Sequence, residues 1–327
     1  MASTTDAPQI TIVCPPRPVR HLGATTKAAK LSAGFEVRSG LILVSSINRG
    51  STMGRNVETG SEHLHCSVDD HGVAVITMDR PERRNAMTDD MLRGLSTSLA
   101  EVEVATDVRC VVLTGAGGAF CAGGDVKGFA EGDGAGGGAA SWDVGVHEQR
   151  LSHRNTSGAL FRMPKPTLAV IPGAAAGAGL SLALACDLRI AVDTAVMTTA
   201  FARVGLAGDY GGTWFLTQLV GPAKAKELYF LPERMAMDTA LELGLVNKVV
   251  PPEEFEQTWT DMAARLAAGP PIAYRYMKEN INRAVTAELD TILDLESTHH
   301  RHTGTTRDHK EASKAFVEKR EPVFEGR

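Results

Sequence analysis

Two glycine-rich turns are the residues of this chain best suited to chemistry. The first runs Gly115-Ala-Gly-Gly-Ala-Phe-Cys-Ala-Gly-Gly-Asp-Val-Lys127 and the second runs Pro172-Gly-Ala-Ala-Ala-Gly-Ala-Gly-Leu180, each after an apolar strand-like segment. Small residues let the backbone approach a ligand, and the second turn opens a helix, whose first N–H groups lack partners. Two such turns can aim backbone donors at one oxygen that becomes negatively charged during a reaction.

A dinucleotide-binding loop is the alternative interpretation of the first turn, because Gly115-x-Gly117-x-x-Phe120 follows a predicted strand. The pattern is a weak match, however: no long helix is predicted after it, and no acidic residue stands at the offset of a ribose contact. We therefore favour an oxygen-binding turn.

Asp209 lies in Leu206-Ala-Gly-Asp-Tyr210, before Gly211-Gly212, where an aspartate is commonly a turn residue or a helix N-cap. Asp125 and Asp187 are expected to have structural roles. The His299-His300 pair with His302 predicts a solvated or interface surface rather than a metal site, since adjacent histidines on a helix point in different directions.

Strand-like and helical segments alternate around both turns. Thr88 is a predicted helix cap, followed by a buried stripe of Met91, Leu95 and Leu99. The predicted strands are Leu64 to Val68, Gly72 to Met78, Arg109 to Thr114, Thr167 to Ile171 and Asp187 to Val192. Strands separated by helices imply βαβ units with right-handed crossovers, hence a layered α/β fold.

Three segments are predicted along the chain. Residues 1–60 have no sustained periodicity and are expected to be a disordered or loosely packed extension; an organellar presequence and a physiological start at Met53 are the alternatives. Residues 61–255 are expected to form the α/β core. Residues 256–327 are expected to form a helical C-terminal subdomain.

Composition excludes several classes of protein. The 327 residues carry a net charge of −5 without a basic stripe, which argues against nucleic-acid binding. The five cysteines are odd in number and mostly set in apolar runs, which is typical of reduced thiols and favours a cytoplasmic location. The most apolar stretch, Thr167 to Val192, is broken by Pro172 and carries charges, so no membrane span is expected.

Several motifs resemble those of one known family. Phe120-Cys-Ala-Gly-Gly-Asp-Val-Lys127 is similar to the signature F-C-A-G-x-D-[ILV]-K of the enoyl-CoA hydratase/isomerase (crotonase) family, and Arg80-Pro-Glu-Arg-Arg-Asn-Ala-Met87 to its R-P-x-x-x-N-A-[LM] turn. Further similar segments begin at Cys186, Phe201, Ala240 and Ala315, so the resemblance spans residues 64 to 327.

The resemblance implies a spiral of ββα repeats, a C-terminal helical part used in trimer or dimer-of-trimers assembly, and an acyl-CoA substrate with no separate cofactor. It places the oxyanion-hole donors on the backbone N–H groups of Gly124 and Ala178. It also implies CoA contacts at Arg84, Ala86, Ala122, Asp125, Val126 and Lys127, with Phe316 and Lys319 reaching a neighbouring subunit.

The chain departs from the family where hydration requires two glutamates, since those positions hold Ser181 and Phe201. Asp209 instead stands where isomerase-like and dehalogenase-like members keep a catalytic acid. One carboxylate suits double-bond migration, so the resemblance favours an enoyl-CoA isomerase. A hydratase and a non-catalytic CoA-ester-binding protein stay as alternatives.

Overall fold

Two β-sheets form the framework of the part of the chain that the computed structural model describes, residues 54–125 and 141–327. The strands are β1 (Arg55–Val57), β2 (Leu64–Val68), β3 (Val73–Met78), β4 (Cys110–Gly115), β5 (Ala119–Cys121), β6 (Thr167–Ile171), β7 (Ala174–Ala176), β8 (Leu188–Val192), β9 (Val196–Thr198), β10 (Met235–Ala236) and β11 (Lys248–Val250). The larger sheet has the order β1-β2-β3-β4-β6-β8-β11 and the smaller has the order β10-β9-β7-β5.

The larger sheet is antiparallel from β1 to β3 and parallel from β3 to β11. The burial of the side chains differs between the antiparallel and the parallel part of this sheet. Side chains of β2 alternate between buried and exposed, whereas every residue of β6 is buried, as expected for a parallel strand covered on both faces. The predicted layered α/β architecture is therefore confirmed.

Ten α-helices of the described residues surround the sheets. They are α1 (Asp89–Val104), α2 (Trp142–Asn155), α3 (Ser157–Arg162), α4 (Ala178–Ala185), α5 (Gly212–Phe230), α6 (Met237–Glu242), α7 (Pro252–Ala268), α8 (Pro271–Ala284), α9 (Leu289–Thr303) and α10 (Arg307–Glu318). Helix α1 begins as predicted: the Thr88 side chain accepts a hydrogen bond from the Met91 N–H at 3.1 Å.

Two features of the structure lie at the boundaries of the predicted segments. Strand β1 lies within the segment assigned to the extension, yet it pairs with β2, and Arg55 binds Asp107 at 2.7 Å and Glu101 at 2.9 Å. A three-residue edge strand is too short to produce a recognisable period in the sequence. At the other boundary, α7 begins at Pro252 and packs Ala263 and Ala267 against the larger sheet, so this helix belongs to the core.

Asp187 has the structural role that was expected of it. Its carboxylate accepts hydrogen bonds from the Thr167 N–H and the Lys278 ammonium, both at 2.8 Å. His299 is more buried than expected, with Nδ1 2.6 Å from the Asn280 amide oxygen and its ring 4.2 Å from that of Tyr276. Within residues 54–125 and 141–327, no cluster of three or more His, Cys, Asp or Glu could hold a metal ion.

Candidate active site

Asn85 joins the turn after β3 to the glycine-rich turn after β4. Its side chain is fully buried, and its amide nitrogen donates to the carbonyl oxygens of Ala116 and Ala119, both at 2.9 Å. Its amide oxygen accepts the Arg80 N–H at 2.8 Å, and its backbone has a positive φ of 57°. Asparagine tolerates this left-handed conformation better than most residues. One side chain therefore fixes both loops.

The two predicted oxyanion residues stand on adjoining turns. The Met87 N–H donates to the Gly123 carbonyl at 2.8 Å, and Met87 and Gly124 form a parallel bridge. A Cβ placed on Gly123 would lie only 3.4 Å from the Ala178 nitrogen. Ala178 is the first residue of α4, so its N–H has no acceptor within that helix. The turn of Gly123 and Gly124 therefore lies against the first residue of α4, and the joint role of the Gly124 and Ala178 N–H groups stays a prediction.

Helix α4 lies directly on β5, the strand that precedes Gly124. A Cβ on Gly179 would come within 2.5 Å of the Cys121 carbonyl oxygen and 2.6 Å of the Cys121 Cβ. Only glycine allows this approach. Gly177, at the N-cap, has φ 52° and ψ −126°, a conformation that is also open chiefly to glycine.

Asp209 lies in the turn between the short 3-10 helix Phe201–Val204 and α5. Its Oδ1 atom is buried and has no hydrogen-bond partner among residues 54–125 and 141–327. Burial raises the pKa of Asp209 to about 6. Helix α5 has Gly211 at its N-cap and no side-chain cap, so Asp209 does not cap this helix. It does stand in the turn before the helix, where its carbonyl accepts the Gly212 N–H at 3.0 Å, as the structural interpretation also allowed.

The charge of Asp209 reaches the turn that carries Gly124. Burial raises the pKa of the Cys121 thiol to about 12, and the Asp209 carboxylate adds to that rise. Burial likewise raises the pKa of the Tyr229 hydroxyl, again with a contribution from Asp209. The carboxylate is therefore within electrostatic reach of β5 and of α5.

Ser181 and Phe201, the positions where glutamates were expected, face the same region. The buried Ser181 hydroxyl donates to the Gly177 carbonyl at 3.3 Å. The Phe201 ring stacks on Tyr229 with centroids 5.8 Å apart, and a Cβ on Gly177 would lie 3.8 Å from it. The aromatic ring of Phe201 and the hydroxyl of Ser181 thus stand where the resemblance led us to expect two glutamate carboxylates.

Four of the predicted CoA contacts lie together in the first two loops. The Ala122 N–H donates to the Arg84 carbonyl at 2.9 Å, Arg84 is exposed, and Ala86 is buried. The Asp125 carboxylate accepts a hydrogen bond from Arg80 at 2.8 Å. Arg80 is the first residue of the R-P-x-x-x-N-A-[LM] motif, whose pattern does not reveal this ion pair.

The remaining predicted contacts lie elsewhere. Val126 and Lys127 are outside the described residues. Phe316, with 85% of its surface exposed, and Lys319 lie at the end of α10. The first turn of α10 is bonded to the C-terminal tail through Asp308, which accepts the Glu325 N–H at 2.7 Å.

The fold thus places two glycine-rich turns against each other, with a buried carboxylate in electrostatic reach of the strand that precedes Gly124. The model of the enoyl-CoA hydratase/isomerase family matches residues 69–327. The chain belongs to that family, and its fold is that of the crotonases.

Individual relatives differ in the reaction that their names record. The chain is 38% identical to the 1,2-epoxyphenylacetyl-CoA isomerase of Escherichia coli, over 78% of this chain and 96% of that protein. It is 35% identical to the short-chain-enoyl-CoA hydratase of Clostridium acetobutylicum, over 76% of this chain and 92% of that protein. A crystal structure of an enoyl-CoA hydratase from Bacillus anthracis superposes with a TM-score of 0.74 at 31% identity, covering 81% of this chain and all of that one.

Proposed function

We propose that this protein is an enoyl-CoA isomerase that uses Asp209 to move a proton between two carbons of its substrate. The observation that carries the proposal is the buried Oδ1 of Asp209, which has no partner in the described part of the chain and acts electrostatically on Cys121, in the strand before Gly124. A carboxylate that no protein group neutralises is available to a substrate proton.

The reaction begins with the thioester oxygen between the N–H groups of Gly124 and Ala178. Asp209 removes a proton from the α-carbon, and the resulting negative charge spreads onto that oxygen, where the two donors stabilise it. Each donor in a comparable oxyanion hole contributes about 2.7 to 4 kcal/mol. Asp209 then returns the proton to the γ-carbon, so the double bond shifts and no atom is gained or lost.

The pKa of Asp209 suits both halves of this exchange. Burial raises it to about 6, so the group is mostly ionised at neutral pH and is a stronger base than an ordinary aspartate. Once protonated, it is still acidic enough to give the proton back. Catalytic groups work best when their pKa lies near the working pH.

Hydration is less well supported because water addition in this family uses two glutamates. Ser181 donates its hydroxyl to a backbone carbonyl, and Phe201 is an apolar ring. A serine hydroxyl and a phenyl ring do not act as general acids or bases at neutral pH. A hydratase relative and an isomerase relative share the fold, so the local chemistry is what favours isomerisation.

CoA binding is the second part of the proposal. The pantetheine and adenine groups lie across the loops of Arg84, Ala86, Ala122 and Asp125, followed by Val126 and Lys127. Phe316 and Lys319 complete the site from a neighbouring subunit of a trimer or dimer of trimers. Their exposure at the end of α10 supports this arrangement.

A screen of enoyl-CoAs in deuterated water, read by mass spectrometry, tests the proposal. Straight-chain 2- and 3-enoyl esters and ring-containing acyl groups are each incubated with the wild type, Asp209→Asn and the control Asp193→Asn. Asp193 is an exposed aspartate between β8 and β9. We expect isomers without the added mass of water from the wild type and the control alone. These isomers carry deuterium to the extent that the proton held by Asp209 exchanges with solvent before it is returned.

Other outcomes would contradict the proposal. Addition of water to the ester would identify a hydratase. Binding of CoA esters by calorimetry without turnover would identify a non-catalytic protein, and full turnover by Asp209→Asn would remove Asp209 from the mechanism.

A further inference from the structure

The residue that follows Asp209 is held in an uncommon conformation by α2. Tyr210 has a positive φ of 48° and is 6% exposed. Bulky side chains rarely adopt this left-handed conformation, and it persists only where the surroundings enforce it. The enforcing contacts are therefore important for the turn that carries Asp209.

Those contacts come from the last turn of α2. The Tyr210 N–H donates to Nε2 of His153 in a long hydrogen bond of 3.5 Å, and the two rings pack with centroids 4.3 Å apart. The Tyr210 hydroxyl lies 3.3 Å from the Ser152 hydroxyl. Backbone, ring and hydroxyl of Tyr210 are thus each bound by α2.

The contacts of Ser152 and His153 with Tyr210 form a clamp on the turn. Asp209 depends on this clamp because few contacts of its own side chain hold the carboxylate in place. Its Oδ1 has no partner in the described residues, and the nearest backbone restraint is the Gly212 N–H, which donates to the Asp209 carbonyl at 3.0 Å. A loosened turn would let the carboxylate move towards solvent. A displacement of about 1 Å at a reacting group can lower a rate roughly a hundredfold.

We propose that His153 is a positioning residue, which holds Asp209 over the substrate by clamping Tyr210. The inference rests on the proposed role of Asp209 as the base. It assigns no proton transfer to His153, which touches Tyr210 rather than the reacting atoms.

The protonation state of His153 fits this role. To accept the Tyr210 N–H, Nε2 must lack a proton, and burial lowers the pKa of His153, which keeps the ring neutral. The titratable groups around this turn are Asp209, Tyr210, Cys121 on β5 and Tyr229 on α5, with Asp89 on α1 acting on Tyr210.

The test compares variants on both sides of the clamp. His153→Ala removes the acceptor and the ring, His153→Gln keeps a hydrogen-bond acceptor, and Tyr210→Gly keeps the backbone conformation without the ring. His147→Ala, at an exposed histidine of the same helix, is the matched control. The readouts are kcat, KM, the acid limb of the pH profile of kcat/KM, and the Asp209 carboxyl resonance in 13C-aspartate NMR spectra.

We expect His153→Ala and Tyr210→Gly to lower kcat by about tenfold to a hundredfold with little change in KM. Both should also lower the pKa of Asp209 from its raised value, because the carboxylate becomes hydrated. His153→Gln should recover part of both effects, and His147→Ala should match the wild type.

The inference is overturned if His153→Ala or Tyr210→Gly folds and keeps both the wild-type acid limb of kcat/KM and the wild-type NMR titration of Asp209. It is also overturned if His153→Gln recovers neither kcat nor the pKa of Asp209. The NMR titration needs no turnover, so it separates this inference from the proposed function. If Asp209→Asn is inactive but His153→Ala titrates like the wild type, only the positioning role fails. If Asp209→Asn stays active, the proposed function fails first.

Discussion

At the scale of the residue, Asp209 should set the pH dependence of activity. Its pKa is raised to about 6 by burial, and the proposed reaction needs the ionised form. We expect kcat/KM to be constant near pH 7.5 and to fall about tenfold per pH unit well below pH 6. Initial rates across this range check the prediction. Asp193→Asn should leave the limb unchanged, and an acid limb near pH 4 would contradict the assignment.

The same burial should make the ionised Asp209 carboxylate lower the free energy of unfolding at neutral pH. Its folded pKa of about 6 exceeds the unfolded value of about 3.9, so the folded state binds more protons between these values. The stability that the protonated group contributes is complete below about pH 4 and is lost as the pH rises through about 6. At pH 7 the ionised carboxylate therefore destabilises the fold, by about 1 to 3 kcal/mol.

Asp209→Asn should consequently be more stable than the wild type at pH 7 while losing activity, since an amide carries no charge to desolvate. Urea denaturation at pH 7 and at pH 4.5 measures the difference, which should shrink at the lower pH. Asp193→Asn is the exposed control. An asparagine variant that is less stable than the wild type at pH 7 would show that Asp209 forms a stabilising contact.

At the scale of the element, the sequence predicts what is local. The apolar run of β6, the cap of α1 and the two glycine turns follow from short-range composition, and the structure confirms them. The edge strand β1 escapes prediction because three residues show no period. The contact of α2 with Tyr210 also could not be predicted from the sequence, because His153 and Tyr210 are 57 residues apart and only tertiary packing brings them together.

Asn85 illustrates the limit within a recognised motif. The R-P-x-x-x-N-A-[LM] pattern marks the residue, but its type does not reveal which carbonyls it binds. The structure shows that they belong to the next glycine-rich turn, 31 and 34 positions away. A motif therefore predicts which loop has a dedicated role. The hydrogen-bond partner of each polar atom in that loop can be identified only from the folded structure.

The contact of α4 with β5 gives a test at this scale. Gly179→Ala would place a Cβ within 2.5 Å of the Cys121 carbonyl oxygen, so the helix must shift together with the Ala178 N–H. We expect a loss of about 1 to 3 kcal/mol in the free energy of unfolding and a larger fractional loss of kcat than of CoA-ester affinity. Chemical denaturation and steady-state kinetics measure these quantities.

Gly304→Ala is the matched control, because Gly304 has an ordinary helical φ of −61° and its nearest neighbour would be 3.3 Å away. It should cost little stability and no activity. If Gly179→Ala behaves like this control, α4 can move away from β5 without disturbing the site, and the close approach is not what fixes Ala178.

At the scale of the whole molecule, helices α8 and α9 expose a row of large apolar side chains. Met277 and Ile281 are 54% and 68% exposed and stand one helical turn apart on α8. Leu289 and Leu293 repeat the spacing on α9 at 71% and 49% exposure. Exposed apolar side chains in this number are typical of a surface that contacts another protein, and we expect a neighbouring subunit to cover them.

The proposed trimer would cover this row, so Ile281→Glu combined with Leu289→Glu should dissociate the assembly by burying unpaired charges at the contact. Light scattering after gel filtration measures the mass, and Val104→Glu, at an isolated valine that is 79% exposed on α1, is the control. Because Phe316 and Lys319 are proposed to reach a neighbouring subunit, the dissociated variant should bind CoA esters more weakly while retaining the pH limb that Asp209 sets. A wild type that is monomeric, or a double variant that keeps both its mass and its CoA affinity, would show that the site is complete within one chain.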